Sequence, residues 1–362
     1  MSRKYDLFCL FIAVITMFFA GCSNLVDSSK YAVHGDAVLR SYGGYLYVLE
    51  RRGADNILKL DPSKIDAGRR ELFVMQSDFQ SGQVRSVSLE GDVSKVAIDK
   101  SVVYQRNLGI NWNPQDVAIV NSTKGYISFN DEPKIAIVNP ANGEVAGYID
   151  IYDYTYLPSE INSSPNAGVM QLVGTDLYVM LQRRDGYNPG APTLLLKIDT
   201  QTDEITDTIA LEYKNGHSMA YYDGALYVTN PGDLFVQGDG AIERVDLATN
   251  EVTTVIDGEA LGGDPNSIVH KEGSRFYITN YVGWLDVPVL EIDAATGEII
   301  ATLPNVIDAF GGIYYDTDEE VLYVGERDPE EMGIRIFIGN EQSGETVRSG
   351  SCLPPASMVV VE

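Results

Sequence analysis

A short apolar phrase, composed mainly of Leu, Ile, Val and Tyr, recurs along this chain. Its copies are LYVLE from Leu46, YISFN from Tyr126, LYVML from Leu177, LYVTN from Leu226, FYITN from Phe276 and LYVGE from Leu322. The alternation of Leu, Ile and Val with Tyr is typical of a β-strand whose two faces both pack against protein. We therefore predict that each copy is one strand of a repeated unit.

A second apolar segment follows each copy and ends in Asp or Asn before a turn. These segments are NILKLDPSK from Asn56, KIAIVNPANGE from Lys134, LLLKIDTQTDE from Leu194, AIERVDLATNE from Ala241, PVLEIDAATGE from Pro288 and IRIFIGNEQSGE from Ile334. With the apolar segments that precede the phrase and follow the turn, each unit has four predicted strands. No long helical pattern occurs after residue 22.

The repeat length identifies the kind of unit. The phrase recurs about every 50 residues from Ile127 to Tyr323, which is the period of a propeller blade. A small sheet cannot bury both of its faces alone, but sheets packed around one axis cover each other. Between Tyr47 and Ile127 there is room for two units, and LFVMQ from Leu72 is a weak extra copy. The sequence therefore predicts an all-β, seven-bladed β-propeller of four-stranded antiparallel blades, with six clear repeats and one degenerate one.

The last segment, PPASMVVVE from Pro354, resembles the first strand of a unit without its remainder. We expect it to close the ring by pairing with a blade that begins near the N-terminus. YAVHGDAVLRSY from Tyr31 already offers a first strand there, so the pattern leaves open which blade the C-terminal segment completes.

The N-terminus has the pattern of a bacterial export signal. Arg3 and Lys4 precede an apolar run over residues 7–20, which is shorter than the ~20 residues that a spanning helix needs. The small residues before Cys22 resemble a lipobox. Ser23 after this cysteine resembles the signal that sorts lipoproteins to the outer membrane in a Gram-negative host. We predict a signal peptide over 1–21, a lipidated tether over 22–30 that begins at Cys22, and a single propeller domain over 31–362. An ordinary signal peptide with an incidental cysteine is the alternative.

The literal YVTN from Tyr227 to Asn230, with FYITN and LYVGE in register, resembles the YVTN-type (YncE-like) seven-bladed β-propellers. Together with the lipobox, the chain resembles the propeller lipoproteins of bacterial envelopes. The resemblance covers residues ~31–362 and implies the fold. It implies no activity, because propellers carry many functions.

The composition narrows the classes of molecule that could bind this protein. Lys and Arg number 26 against 52 Asp and Glu, a formal net charge of -26, which disfavours nucleic acid and anionic lipid surfaces. Such a charge also suits a soluble surface outside the cytoplasm. After removal of the signal peptide only Cys22 and Cys352 remain, so no disulfide framework is predicted. The three histidines do not have the spacing of a histidine metal centre.

The repeat also predicts where a ligand would bind. The last residue of each phrase and the loops that enter the first strands should meet at one mouth of the central channel, where propellers bind ligands. The candidate ligand-binding residues are Glu50, Asn130, Asn230, Asn280, Glu326, His34, Asp36, Gln115, Asp116, Asn166, His217 and Asn266. Trp112, Tyr281 and Trp284 are candidate rim aromatics for protein or flat-ligand contact. Alternatively, the Asn and Asp residues cap strand ends and the aromatic rings fold over their own loops.

Two functions fit these residues. The first is a non-enzymatic, lipid-anchored, extracytoplasmic binding scaffold for a small ligand, a metal or a partner protein, acting beside an envelope receptor or transporter. The second resembles a metal-dependent lactonase, with one divalent cation such as Ca²⁺ held in the channel by Glu and Asn. No catalytic motif is present, so no catalytic residue is predicted and the metal stays unknown. We expect a monomer, anchored to the outer membrane on its periplasmic or surface face.

Overall fold

The computed structural model describes residues 33, 36–52, 54–65, 71–77, 82–87, 93–109, 111–156, 164–186, 188–233, 236–348 and 354–361. Cys22 and His34 lie outside these residues. Strands are numbered in chain order. The first are β1 (Ala37–Tyr42), β2 (Tyr45–Glu50), β3 (Asn56–Leu60), β4 (Glu71–Ser77), β5 (Gly82–Val87), β6 (Val93–Lys95), β7 (Val102–Asn107), β8 (Pro114–Asn121), β9 (Lys124–Phe129), β10 (Lys134–Asn139), β11 (Glu144–Asp150) and β12 (Ala167–Val173).

The remaining strands continue the same pattern of short antiparallel segments. The next are β13 (Asp176–Leu181), β14 (Arg184–Asp185), β15 (Asn188–Pro189), β16 (Pro192–Asp199), β17 (Glu204–Lys214), β18 (Ser218–Tyr222), β19 (Ala225–Asn230), β20 (Ala241–Asp246), β21 (Val252–Asp257) and β22 (Asp264–Glu272). The last are β23 (Arg275–Tyr281), β24 (Val289–Asp293), β25 (Glu298–Thr302), β26 (Ile313–Asp316), β27 (Val321–Glu326), β28 (Gly333–Ile338), β29 (Glu341–Gln342), β30 (Val347–Arg348) and β31 (Pro355–Val361).

The helical segments that the structure describes are one-turn pieces between strands. They are the α-helices Ile98–Ser101 and Gly258–Leu261 and the 3₁₀ turns Pro62–Lys64, Tyr152–Tyr154 and Ala309–Gly311. Within the described ranges, no helix has the length and hydrophobicity that a membrane crossing requires.

The strands form seven blades, which confirms the predicted fold. Blade 1 contains β1, β2, β3 and β7, blade 2 contains β8 to β11, and blade 3 contains β12, β13, β16 and β17. Blade 4 contains β18 to β21, blade 5 β22 to β25, and blade 6 β26 to β29, with β30 also paired to β28. Blade 7 contains β31, β4, β5 and β6. The first strands contact each other in the order β1, β8, β12, β18, β22, β26, β31 and back to β1, so they surround one axis.

The degenerate repeat is blade 7, and it is inserted into blade 1. The chain leaves blade 1 after β3, forms three strands of blade 7, and returns to add β7 as the outer strand of blade 1. A backbone hydrogen bond of 2.8 Å from Asp61 N to Ser101 O joins the two ends of the insertion. The side chains of Phe73 and Met75 from blade 7 pack against Leu46 and Val48 of blade 1. The order of blades along the chain therefore differs from their order around the ring.

The C-terminal strand closes the ring, as predicted, and it completes the degenerate blade. Strand β31 is antiparallel to β4, with Met358 opposite Val74 and Val360 opposite Leu72. It also contacts β1 of blade 1, where the backbone N–H of Leu39 donates to Ser357 Oγ at 3.1 Å. The open question about which blade this segment completes is resolved in favour of blade 7.

The two repeated segments, the second strand and the turn after the third strand, recur together because they contact each other between neighbouring blades. The hydroxyl of Tyr47 in blade 1 donates to Pro140 O at 3.4 Å in a turn of blade 2. The hydroxyl of Tyr277 in blade 5 donates to Gly339 O at 3.0 Å in the corresponding turn of blade 6. Each tyrosine thereby buries its ring between two blades and satisfies its hydroxyl at the turn that follows the third strand.

Candidate functional site

The loops between second and third strands and the loops between blades lie on one face of the propeller. On the side of blades 1 to 4, polar side chains from this face meet at the end of the central channel. We call this set the mouth; it consists of Asp36, Arg51, Gln115, Asn130, Asn166, Gln182, Arg184 and His217. Five of these residues were predicted from the sequence, and Arg51, Gln182 and Arg184 were not.

The last residue of a second strand does not face the channel. In blade 3 this residue, Leu181, packs against blade 2, and in blade 2 it is Phe129, which packs against blade 1. The side chain at this position therefore points back to the preceding blade, and the following residue points toward the next blade. Because neighbouring strand residues face opposite ways, a register error of one residue exchanges the two environments.

The predicted register of blade 2 was wrong by one residue. Tyr126 packs toward blade 3, as Tyr178 packs toward blade 4, so Phe129 occupies the position that Asn230 has in blade 4. Asn130 comes one position later, level with Arg51 and Gln182. The cause is the segment YISFN, which aligns with LYVTN only when Tyr126 is matched to Leu226 instead of to Tyr227.

Glu50, Asn230, Asn280 and Glu326 are buried at the ends of their strands. Glu50 Oε2 accepts from Asn56 Nδ2 at 2.7 Å within blade 1, and Asn280 Nδ2 donates to Leu261 O at 3.1 Å. Among the residues that the structure describes, no hydrogen bond joins any two of these four side chains. The structure therefore places them separately, in four interfaces between blades.

Glu326 has the most complete set of partners. Its Oε1 accepts from the backbone N–H of Asp308 at 2.8 Å and of Asp328 at 3.1 Å. Its Oε2 accepts from Ile307 N at 3.0 Å and from Arg335 Nε at 3.1 Å. Four donors saturate the carboxylate, which ties the loop before blade 6 to the strands of that blade.

Arg51 extends from the end of β2 over the first strands of blades 1 and 2. Its Nη2 lies 3.0 Å from Asp36 Oδ2, and its Nη1 donates to Gln115 Oε1 at 3.4 Å. The amide of Gln115 in turn donates to Asn113 O at 3.1 Å. These contacts hold the guanidinium group over the channel end while 22% of the Arg51 side chain stays exposed.

A continuous hydrogen-bond network joins blades 2, 3 and 4 at the mouth. Asn166 Nδ2 donates to Asn130 O at 3.1 Å, while its Oδ1 accepts from Arg184 N at 2.9 Å. Asn130 Nδ2 approaches Gln182 Oε1 at 3.5 Å, and Gln182 Nε2 donates to Gly216 O at 2.9 Å. The network positions the loop that carries His217, the residue after Gly216.

The same network continues away from the channel through Asn230. Gly216 N donates to Thr193 Oγ1 at 2.8 Å, and the Thr193 hydroxyl donates to Asn230 Oδ1 at 2.7 Å. Asn230 Nδ2 then donates to Glu243 Oε2 at 2.9 Å. Asn130, Asn166 and Asn230 are thus linked through residues that were not predicted, although only the first two lie at the mouth.

His217 directly precedes β18, the first strand of blade 4. Solvent reaches its ring, yet the surrounding protein lowers the pKa of His217 to about 4, chiefly by burial and further through the charges of Arg51 and Arg184. The charges of Arg51 in blade 1 and Arg184 in blade 3 therefore act on the imidazole of His217 in blade 4.

We expect His217 to remain neutral throughout the neutral pH range and to titrate near pH 4. The folded-state pKa lies below the ordinary value of 6.5, so the unfolded state binds the extra proton first as pH falls. The contribution of His217 to stability is therefore full above pH ~6.5 and is lost as pH falls toward 4. Two-dimensional NMR of the imidazole nitrogens measures this midpoint.

The control for that titration is in the same spectrum, because His270 lies on the other face. Its ring stacks on Tyr222 with centroids 4.4 Å apart, and its Nε2 lies 2.8 Å from Gly273 O. Arg51→Gln should raise the midpoint of His217 and leave the chemical shifts of the His270 ring unchanged. A wild-type midpoint for His217 above 6 would contradict this effect of burial and of the two arginines.

The remaining predicted loop residues have contacts inside the ring. Asp116 Oδ1 pairs with Arg40 Nη2 at 2.9 Å, and its Oδ2 accepts from Met170 N at 2.9 Å, so this buried carboxylate bridges blades 1, 2 and 3. The carbonyl of Asn266 accepts from the Thr229 hydroxyl of blade 4. The first contact connects the first strands of blades 1, 2 and 3, and the second connects the second strand of blade 4 to the first strand of blade 5.

The aromatic residues divide into two groups. Trp112 folds back over blade 2, where it meets Phe129 edge-on at 5.3 Å and lies under Lys134 Nζ at 3.9 Å from the ring centroid. Trp284 is 42% exposed on the side of blades 5 and 6. Phe310, which was not among the candidates, is 46% exposed.

A guanidinium group organises the exposed aromatic residues. The group of Arg327 lies 5.2 Å from the Trp284 ring and 4.4 Å from the Phe310 ring, and Nε pairs with Asp308 Oδ2 at 2.8 Å. Tyr281 meets Phe310 at a centroid distance of 6.3 Å. The channel face thus has a polar half on blades 1 to 4 and an aromatic half on blades 5 and 6.

A shallow cavity of about 250 Å³ lies at the outer edge of this face, between blades 3 and 4. Glu212, Tyr213 and Lys214 at the end of β17 line one side, and Asp233 and Asp239 line the other. Burial, followed by the charge of Asp233, raises the pKa of Asp239. The cavity is separate from the mouth and contains none of the predicted residues.

The polar residues at the strand ends do not fit a divalent cation. Across the described ranges, no three His, Cys, Asp or Glu side chains come together in a way that could hold a metal ion. Glu326 already accepts four hydrogen bonds. The side-chain Oδ1 and Nδ2 of Asn230 are both hydrogen-bonded, to Thr193 and Glu243 respectively. A cation at either strand end would have to displace hydrogen-bond partners that hold neighbouring blades together.

One feature of the sequence could have identified the arginines that were not predicted, Arg51 and Arg184. Two of the six phrases are followed by adjacent arginines, in LYVLERR with Arg51 and Arg52 and in LYVMLQRR with Arg183 and Arg184. The pair follows the first of these phrases directly and the second one residue later, after Gln182, in a chain with twice as many acidic as basic residues. The residues that follow the phrase, and not its last residue, were the positions to compare.

Comparisons with known proteins identify the fold. No family model matches the sequence, and no curated protein matches it. The apo AztD structure from Citrobacter koseri aligns over 94% of this chain and 93% of its own, with 12% identity and a TM-score of 0.52. Virginiamycin B lyase from Staphylococcus aureus aligns over 87% and 84%, with 12% identity and a TM-score of 0.52. Dihydro-heme d1 dehydrogenase NirN aligns over 91% and 69%, with 15% identity and a TM-score of 0.51.

Proposed function

We propose that this protein is a non-enzymatic binding propeller of the bacterial cell envelope, anchored by lipid on Cys22. The lipobox-like N-terminus, the resemblance to YVTN-type propeller lipoproteins and the acidic composition support this location. In this proposal residues 1–21 are the signal peptide and 22–30 the tether. The propeller would act beside an envelope receptor or transporter that passes on or receives its ligand.

The mouth is the binding end of this propeller. The observation that supports it is the set of hydrogen bonds between loops of blades 1 to 4, in which Arg51 reaches Gln115, the backbone of Arg184 is tied to Asn166, and Gln182 holds the loop that carries His217. Polar groups that converge on a concave surface are the usual setting of a ligand site. The network through Asn130, Asn166 and Gln182 keeps that surface in shape before a ligand arrives.

The metal-dependent hydrolase has weaker support. The fold itself does not decide between binding and catalysis, since one of the similar structures is called a lyase and another a dehydrogenase. The oxygens of Glu326 that would hold a cation are saturated by four donors. No observation at the mouth favours hydrolysis, so the binding role is the function we propose.

Lipid anchoring is tested by Cys22→Ser. We expect the wild-type protein in the membrane fraction and the variant in the soluble fraction, or retained as uncleaved precursor, because the acceptor thiol is absent. Incorporation of labelled fatty acid into the wild-type protein alone is the second readout. Equal labelling of the two proteins would remove the anchor from the proposal.

Binding at the mouth is tested with protein from residue 23 onward and a low-molecular-weight extract of the host envelope. We expect a saturable change of the His217 imidazole signal in NMR, with His270 on the opposite face unchanged. Asn166→Ala, which removes both side-chain contacts of the network at Arg184 and Asn130, should weaken the effect. An extract that changes neither signal, or both equally, would count against the mouth as a binding site.

A further inference from the structure

We infer that the aromatic half of the channel face docks a basic segment of a partner protein, in which apolar side chains stand next to lysine or arginine. The aromatic half consists of Tyr281 and Trp284 on the side of blade 5 with Phe310 and Arg327 on the side of blade 6. It belongs to other blades than the mouth does, so the inference does not depend on ligand binding at the mouth.

Large apolar side chains remain exposed in the aromatic half. Ile307, three residues before Phe310, is 41% exposed, which is similar to the exposure of Trp284 and Phe310. Single exposed apolar residues are ordinary, but several in neighbouring loops mark an interaction surface. Trp, Tyr and Arg are also the residues that contribute most to the affinity of protein interfaces. The aromatic half therefore has the composition of a protein-docking surface.

Arg327 holds the two most exposed rings in place. Its guanidinium group lies over both Trp284 and Phe310, and its Nε donates to Asp308 Oδ2 at 2.8 Å. The same carboxylate accepts from Phe310 N at 3.2 Å through Oδ1, and Arg327 N donates to Asp308 O at 2.9 Å. The two rings therefore share one anchor before a partner arrives, which reduces the loss of entropy on binding.

The turn that carries Trp284 is fixed by backbone hydrogen bonds. Gly283 N donates to Asp286 O at 3.1 Å and closes a tight turn around Trp284. Val287 N, directly after this turn, donates to Ile307 O at 2.9 Å in the segment before blade 6. The loops of blades 5 and 6 are therefore joined, and they present one surface to a partner.

The arrangement of the rings suits protruding side chains better than a flat ligand. The rings of Tyr281 and Phe310 are inclined at 69° to each other, with centroids 6.3 Å apart. A flat ligand that covers several rings needs their faces in one plane. Rings that meet at this angle present an edge beside a face, and the apolar side chains of a protein segment can contact both.

The charge around the aromatic half indicates a basic partner. Its three loops, residues 282–288, 303–312 and 327–332, contain five acidic residues and one basic residue. The basic residue is Arg327, which is paired with Asp308, while Asp286 and Glu330 are exposed. A net charge of -26 disfavours a second copy of this chain and an anionic lipid surface. Lysine or arginine beside an apolar side chain of the partner would be attracted instead.

The experiment measures how a set of synthetic peptides binds the soluble protein from residue 23 onward. The peptides share a central Leu-Phe-Leu, differ only in flanking residues, which are lysine, serine or glutamate, and carry the same uncharged dye for fluorescence anisotropy. We expect the lysine peptide to bind about tenfold more tightly than the serine peptide, because its charges complement the acidic loops. Its affinity should fall as salt is added, since exposed charges are screened. The glutamate peptide should not bind saturably.

Variants of the aromatic half identify the groups that contact the peptide. Trp284→Ala and Phe310→Ala should each weaken binding of the lysine peptide about tenfold, because each removes one exposed ring. Asp286→Asn together with Glu330→Gln should weaken the lysine peptide and leave the serine peptide unchanged, because only charge is lost. Tyr152→Ala is the matched control, since Tyr152 is a 44% exposed aromatic residue next to blade 2. Thermal melting of each variant shows whether the propeller is intact.

The other outcomes would each overturn the inference. Equal affinity for the lysine, serine and glutamate peptides would remove the basic partner, and unchanged affinity in both ring variants would remove the aromatic half as the docking surface. Binding to phosphatidylcholine vesicles without peptide binding, lost in Trp284→Ala, would identify a lipid surface. A dimer in sedimentation that is lost in the same variant would identify a second copy of this chain. Absence of saturable binding by every peptide would also end the inference, and none of these readouts involves His217, so failure here leaves the mouth untouched.

Discussion

Removal of residues 354–362 is expected to abolish cooperative folding of the propeller. These residues supply β31, the innermost strand of blade 7, and Met358, Val359, Val360 and Val361 are all buried in it. Each such side chain contributes about 1.5–3 kcal/mol of burial, so the sum is comparable to the whole stability of about 5–15 kcal/mol of a folded domain. The loss also exposes the edge of β4, which favours aggregation.

Circular dichroism melting and size-exclusion chromatography of the shortened chain measure this effect. Removal of Glu362 alone is the control. A synthetic peptide of residues 354–362, added during refolding, should restore part of the cooperative transition, because the strand pairs with β4 through backbone hydrogen bonds. A shortened protein that melts within a few degrees of the full chain would show that ring closure does not depend on β31.

Glu326→Ala is expected to destabilise the protein by about 3–5 kcal/mol, the usual cost of breaking a buried ion pair from one side. The change leaves Arg335 buried without its carboxylate, and it leaves the backbone N–H groups of Ile307, Asp308 and Asp328 without their acceptor. Chemical denaturation monitored by tryptophan fluorescence gives the difference, and the melting temperature should fall by roughly 5–15 °C.

Two further variants identify the cause of that loss. Glu330→Ala, an exposed glutamate in the next loop, should change stability by less than about 0.5 kcal/mol. Adding Arg335→Met to the Glu326→Ala protein should recover part of the loss, because the unpaired buried charge is then gone. If Glu326→Ala costs no more than Glu330→Ala, the carboxylate is not the structural anchor that its four contacts indicate.

The fold was predictable from the sequence because burial controls it. The second strands are apolar on both faces, since each is covered by two neighbouring blades, and their recurrence about every 50 residues determines the blade count. The topology of the insertion was not predictable. LFVMQ pairs with Met358 and its neighbours, which lie almost 300 residues later in the chain, and no local pattern records such a partner.

The candidate site was predicted in part. Asp36, Gln115, Asn130, Asn166 and His217 lie at the mouth, because loops that enter first strands must open on the channel. Glu50, Asn230, Asn280 and Glu326 lie one residue too early and face the preceding blade. Which side of a strand end a residue faces depends on the exact register between blades, and YISFN shows that a one-residue ambiguity survives even in a clear repeat.

The amino-acid sequence by itself determined the class of fold, the number of blades and the face on which polar loops gather. These properties depend on the spacing of apolar residues, which is local and repeated. Only the tertiary structure decided that arginines from blades 1 and 3 lie close enough to a histidine of blade 4 to lower its pKa. Their proximity depends on closure of the ring, which brings together side chains whose separation along the chain carries no information about their distance.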